Sequence, residues 1–196
     1  MAGRAVGRRE EVGRIVAVLA DVGAARGGGR IVELTGEPGI GKSTVVSAVI
    51  AAAEDSGWRV WTASPTAAEA ELPWTGLAQL LAGVELDGFD GLATSHLEQL
   101  TGAIGTGRTG VVSPELVAFG LTALLDTAAS GSTPLLVVVD DVHWLDRATA
   151  GALAYALRGM SRRRAVALLS RRDEPMPLEP SRLVDPSAHV QVELGG

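Results

Sequence analysis

Residues Gly36 to Ser43 read Gly-Glu-Pro-Gly-Ile-Gly-Lys-Ser and fit the spacing G-x-x-x-x-G-K-[ST] without a mismatch. Glycines at these positions let the backbone curl, so that successive N–H groups point at one phosphate. A helix opening directly after the loop brings its positive end to the same anion. Lys42 then reaches the β- and γ-phosphates of ATP, the Ser43 hydroxyl ligates Mg2+, and Thr44 lies near the α-phosphate. The whole cradle, Gly36, Glu37, Pro38, Gly39, Ile40, Gly41, Lys42, Ser43 and Thr44, is a candidate cofactor-binding segment. Lys42 is also the only lysine of the chain. A compact point charge stands where the chemistry requires one, and arginine serves elsewhere.

A second set of chemical residues lies about a hundred positions on. Leu135-Leu136-Val137-Val138-Val139 is an unbroken apolar run that ends in Asp140 and Asp141. Such a run reads as a strand covered on both faces. After a phosphate loop, its two terminal carboxylates suit two jobs. Asp140 is the candidate for the magnesium shell, with Ser43, and Asp141 the candidate that orients or activates the attacking water. Successive residues at a strand end point in different directions, as two separate roles need. His143 and Trp144 read as packing residues, and Asp146 as the N-cap of the next helix.

The elements that must hold these residues alternate between helix and strand, which implies an α/β fold with a mainly parallel sheet. Glu10 to Ala24 reads as a helix with Val12, Ile15, Val16 and Leu19 on one face. Arg30 to Thr35 reads as a strand, Lys42 to Asp55 as a helix burying Val45, Val46, Val49 and Ile50, and Trp58 to Thr62 as a second strand. Residues 64–112 look less regular, with a short helix around Leu77, Leu80 and Leu81 and a loop from Gly102 to Gly110. Ser113-Pro114-Glu115 is a helix start: a capping hydroxyl, a proline at the first position and an acid near the positive end. That helix is expected to turn Leu116, Leu121, Leu124 and Leu125 inward. Asp146 to Met160 reads as a helix, Ala165 to Ser170 as a buried strand and Val190 to Leu194 as a last short one. The run Arg162-Arg163-Arg164 reads as a solvated turn.

Composition bounds the remaining possibilities. Among 196 residues, 46% are hydrophobic but only 4% aromatic, so the core is built from Val, Leu, Ile and Ala. The net charge of −6 argues against a nucleic-acid surface, which ordinarily carries a basic excess. The absence of cysteine excludes disulfides, thiolate metal sites and a cysteine nucleophile. No apolar run has the length of a signal peptide or a membrane span, so a soluble cytoplasmic protein without a membrane partner is expected. Residues 1–196 are expected to form one domain, with 1–29 as an N-terminal helix and its lead-in.

Val6-Gly7-Arg8, the phosphate loop, and Asp140-Asp141-Val142-His143-Trp144-Leu145-Asp146 occur in this order. Together they resemble the AAA-type ATPase domain of the signal-transduction ATPases with numerous domains. Within that group the chain is similar to the large ATP-binding regulators of the LuxR family of bacteria. Glu71-Leu72-Pro73-Trp74 with Leu77, Leu80 and Leu81 is similar to the same group's segment after the second strand. The resemblance implies a P-loop NTPase three-layer sandwich with a five-stranded sheet ordered 5-1-4-3-2. It implies that Gly7 and Arg8 lie near the adenine, although Arg9 stands where the motif usually continues with Glu. Arg172, in Ser170-Arg171-Arg172, falls at the position of the first sensor, which reads the γ-phosphate and completes a catalytic set of Lys42, Asp141 and Arg172. It also implies a winged-helix lid and a C-terminal helix-turn-helix beyond Leu194; neither occurs within these residues, so no DNA binding by this chain alone is expected.

Three readings follow. The first is an ATP-hydrolysing switch domain of, or related to, a transcriptional regulator, cycling between ATP and ADP and slow when isolated. The second is a nucleotide-binding module with negligible turnover that works through self-association or a partner protein. The third is a P-loop small-molecule kinase, for which Arg108 would have to clamp phosphate.

Overall fold

A computed structural model describes residues 8–25, 28–89, 92–105, 112–172 and 178–195. Five strands, β1 (Arg30–Gly36), β2 (Arg59–Ala63), β3 (Leu135–Val139), β4 (Ala165–Arg171) and β5 (His189–Leu194), form one sheet. Its order is β2-β3-β4-β1-β5 and every pairing is parallel. The expected order is therefore met, with β4 separating the strand of the acidic pair from the strand of the phosphate loop.

Alternation along each strand sorts side chains to two faces. Val32, Leu34, Leu136, Val138, Val166 and Leu168 face the layer made by α1 (Arg9–Gly23) and α2 (Lys42–Asp55). In α2, Val45, Val46 and Val49 are buried and Ile50 is partly so. Ile31, Leu135, Val137, Val139, Ala167 and Leu169 face the opposite layer, made by α3 (Thr75–Leu80), α4 (Thr94–Ala103), α5 (Pro114–Ser130) and α6 (Arg147–Leu157). Because both faces are covered, the central strands read as apolar runs.

Several expectations change. Residues 64–112 are more regular than their composition suggests, since they hold α3, a 3-10 turn at Leu86–Gly88, and α4. Gly102 belongs to the last turn of α4, while residues 106–111, and with them Arg108, lie outside the described residues. On α5 the Ser113 hydroxyl accepts from the Leu116 amide, so the predicted cap is present, but Leu116 itself is exposed. Val117 takes the inward position, one turn before Leu121 and on its side of the helix. The last long helix stops at Leu157, and Met160 begins a separate 3-10 turn.

The arginine run is not simply solvated. Arg163 is buried; its Nε donates to Asp126 Oδ1 at 2.7 Å and its Nη1 to the Ala156 carbonyl. Arg164 Nη1 donates to the Ser132 carbonyl at 2.6 Å. These two side chains join α5, α6 and the entry to β4, a job for a planar multi-donor group rather than for solvent contact.

Candidate functional site

The phosphate loop, the acidic pair and Arg172 lie at or just beyond the carboxyl ends of strands, where ligands bind in open α/β sheets. The loop after β1 reaches Lys42 through Gly39 and Gly41, whose φ angles of 77° and 105° favour glycine. Gly41 is the N-cap of α2 and Lys42 its first residue. The Lys42 side chain is buried, and its Nζ donates to the Gly36 carbonyl at 2.8 Å and the Glu37 carbonyl at 3.0 Å. Both acceptors are neutral carbonyls of the loop, so the charge is set at the loop's centre.

Pro38, Gly39, Gly41, Lys42, Ser43 and Thr44 line one side of a cavity of about 260 Å³. Asp141 and Arg172 close the other side. Residues about a hundred positions apart in sequence thus share one space. The fold does this by placing β4 between β1 and β3, so that the ends of three adjacent strands meet.

Asp140 and Asp141 do point different ways. Asp141 borders the cavity, with its backbone in the left-handed region at φ 60°. Asp140 Oδ1 accepts a short hydrogen bond from the Ser170 hydroxyl at the end of β4. The same Ser170 oxygen accepts from the Asp141 amide at 2.9 Å. One fully buried hydroxyl therefore fixes both acids at once. Sequence reading passed over Ser170 as an individual site residue. Its signal was a hydroxyl interrupting the apolar strand Ala165 to Leu169 at the position next to Arg171.

His143 Nδ1 lies 3.9 Å from Asp141 Oδ1, and its ring packs on Trp144 with centroids 4.9 Å apart. Trp144 is half-buried rather than core, and the Arg172 guanidinium lies over its ring at 5.9 Å. That distance suits a cation–π contact. Arg171 turns away from the cavity and pairs with Glu33, a buried carboxylate of β1 that also meets His189 Nε2 at 2.7 Å. Adjacent arginines thus split: one ties β4 to β1 and β5, the other faces the phosphate loop.

Gly7 lies outside the described residues. Arg8 touches the site from the side: its Nη2 donates to the Ile40 carbonyl at 3.0 Å, and its Nη1 to the Gly195 carbonyl at 2.8 Å and Glu11 Oε1 at 3.1 Å. It braces the loop against the end of β5. Among the described residues no three His, Cys, Asp or Glu side chains cluster as a metal cage. Mg2+ ordinarily takes one or two carboxylates and completes its shell with phosphates and water, so a hydroxyl and one or two acids here fit that chemistry.

A family model described as an AAA ATPase domain matches residues 4–169. A search of curated proteins finds no match at a significant level. Among solved structures, a chain of Drosophila ORC bound to DNA superposes with a TM-score of 0.59 at 15% identity, covering 95% of this chain and 42% of that one. Cdc6p from Pyrobaculum aerophilum gives 0.56 at 14% identity, with 97% and 46% covered. A DNA replication initiation factor gives 0.50 at 18% identity, with 96% and 46% covered. At such identities the likeness is one of fold. The chain spans less than half the length of each of these solved chains.

Proposed function

Because the chain belongs to the AAA ATPase domain family, we propose that it binds ATP with Mg2+ between Lys42 and Arg172 and hydrolyses it as a switch module. The observation that carries this reading is the single cavity shared by the phosphate loop, Asp141 and Arg172. In this reading the backbone amides between Gly36 and Ser43, Pro38 excepted, hold the β-phosphate, with Thr44 beside the α-phosphate. Lys42 exchanges its loop carbonyls for phosphate oxygens. Ser43 and Asp140 hold Mg2+, which neutralises charge on the phosphates when bound. Asp141 orients the attacking water, and Arg172 leaves the Trp144 face to meet the γ-phosphate. Arg8 supports the loop on the side assigned to adenine, with Gly7 preceding it.

Two finer assignments also belong here. The order of the sequence motifs supports a signal-transduction ATPase related to the LuxR-family regulators, with residues 1–196 as one nucleotide-binding unit. The net charge of −6 supports a module that does not itself engage DNA, and that acts by self-association or on a partner protein. No described helix is long and apolar enough to cross a membrane.

Binding without turnover is favoured by one specific observation, the stacking of Arg172 on Trp144 rather than on an acid. Incubation with γ-labelled ATP and Mg2+ separates the readings. Label released as inorganic phosphate is the expected result. Saturable binding with label retained in ATP supports the non-hydrolysing module, and label passed to a small acceptor supports a kinase. Absence of binding overturns all three.

A further inference from the structure

Asp146 lies five residues beyond Asp141 and is almost fully buried, at 1% exposure. Its Oδ1 accepts from the Thr149 amide at 2.9 Å, the ordinary N-cap bond of α6. A serine or asparagine could make that bond equally well. The rest of the carboxylate is committed elsewhere. Oδ1 also accepts from the Trp74 amide at 2.9 Å, and Oδ2 accepts from the Gly76 amide at 3.0 Å, with the Thr75 hydroxyl oxygen 3.5 Å away. Both oxygens thus tie the start of α3 to the start of α6 across 70 or more residues of sequence.

The surrounding packing serves the same joint. Thr149 Oγ1 accepts from the Leu77 amide at 3.0 Å. A Cβ on Gly76 would stand 2.3 Å from Leu145 Cδ1 and 3.2 Å from Thr149 Cγ2, so α3 approaches most closely where it carries no side chain. Trp74 is held at φ 70°, a conformation that a bulky residue keeps only when its surroundings impose it. A buried carboxylate is costly unless hydrogen-bonded, and here three amides supply the bonds.

The joint bears on the site through one short turn. The Trp144 amide donates to the Asp141 carbonyl at 2.9 Å and the Leu145 amide to the Val142 carbonyl at 3.0 Å. Upstream, Ser170 holds the Asp141 amide; downstream, Asp146 holds α3 and α6. Asp141 therefore sits, in a left-handed conformation, on a segment pinned at both ends. Displacing a reacting group by about 1 Å can cost on the order of 10²-fold in rate.

Resting on the ATPase reading above, we propose that Asp146 is a positioning residue: by joining α3 to the Asp141 turn it holds the Asp141 carboxylate toward the cavity. Asp146→Asn keeps an oxygen for Thr149 but sets an NH2 group against the Gly76 amide. Its expected kcat is at least about tenfold lower, with KM for ATP within about twofold, since the phosphate loop lies on other strands. Amide exchange at Gly76 and Leu77 should accelerate. Thr149→Val removes the bond to Leu77 alone and should give a smaller fall of the same kind; it carries the test if Asp146→Asn does not fold. A kcat equal to wild type while Gly76 or Leu77 exchanges faster overturns the proposal, as does a rise in KM matching the fall in kcat. Wild-type protein that neither binds nor hydrolyses ATP overturns the ATPase reading instead.

Discussion

Two corners of the same cavity are built by opposite means. The corner after β1 is backbone: glycines at positive φ, amides at the start of α2, and a lysine whose bonds go to the loop's own carbonyls. The corner after β3 is side chain: Asp140 held by Ser170, Asp141 held by its amide, and Asp146 locked by three amides. A loop of backbone donors can close around any phosphate and needs little support from afar. A carboxylate that must orient one water needs its direction fixed, and the fold spends long-range hydrogen bonds to fix it. On the proposed reading, the first corner supplies affinity, Asp140 of the second corner adds to it through Mg2+, and Asp141 governs rate.

Removing the Asp141 carboxylate from the second corner should therefore leave affinity and lower turnover. Asp141→Asn is expected to reduce phosphate release by about 10²-fold or more, with ATP affinity near wild type. Asp140→Asn should instead weaken binding in the presence of Mg2+ and leave metal-free binding unchanged. If both variants lose only affinity, the division of labour between the acids is wrong.

A smaller effect is expected one step out. Ser170→Ala removes the hydroxyl that donates to Asp140 and accepts from the Asp141 amide, leaving a part-buried amide without its acceptor. Loss of such a partner costs about 1–3 kcal/mol of stability. A drop in melting temperature together with a fall in kcat of about tenfold is predicted. Ser170→Thr, which keeps the hydroxyl, should restore part of both. A kcat fall without any loss of stability would show that Ser170 acts on substrate directly.

The smallest effect lies farthest from the chemistry. Glu69, on the segment before α3, has its carboxyl held below the ordinary value, first by the Thr66 hydroxyl, then by the Thr66 amide, and also by the Gln79 side chain. A lowered folded pKa adds stability above the unfolded value, and that contribution is lost as pH falls through the folded one. Amide exchange at Thr66 should accelerate only below the usual carboxylate range, and Glu69→Gln should abolish that pH dependence. An unchanged profile in the variant would show that another group controls the segment.

What the sequence made legible follows the same contrast. The phosphate loop, the run Leu135 to Val139 and the caps at Ser113 and Asp146 are local signals, and each element they mark is present. The partners of buried polar groups are not local. Arg163 looked solvated because Asp126 and the Ala156 carbonyl are brought to it only by folding. Glu33 sits in a strand whose neighbours are apolar, and its partners Arg171 and His189 come from two other strands. Asp146 was readable as a cap but not as the anchor of α3. The helix α4 was missed because Leu100 is its one fully buried side chain. It is held by α5, where Gln99 Oε1 accepts from the Ser113 amide and Gly120 lets the His96 backbone approach.

The nucleotide site rests most directly on Lys42, the one lysine of the chain and the charge at the centre of the loop. Equilibrium titration of wild type and Lys42→Ala with a fluorescent ATP analogue and Mg2+, with circular dichroism alongside, measures its weight. Truncating one partner of a buried charge pair costs about 2–5 kcal/mol, so the variant should keep the native spectrum and bind at least about 30-fold more weakly. A folded Lys42→Ala protein with wild-type affinity would contradict the assignment of the cavity as a nucleotide site.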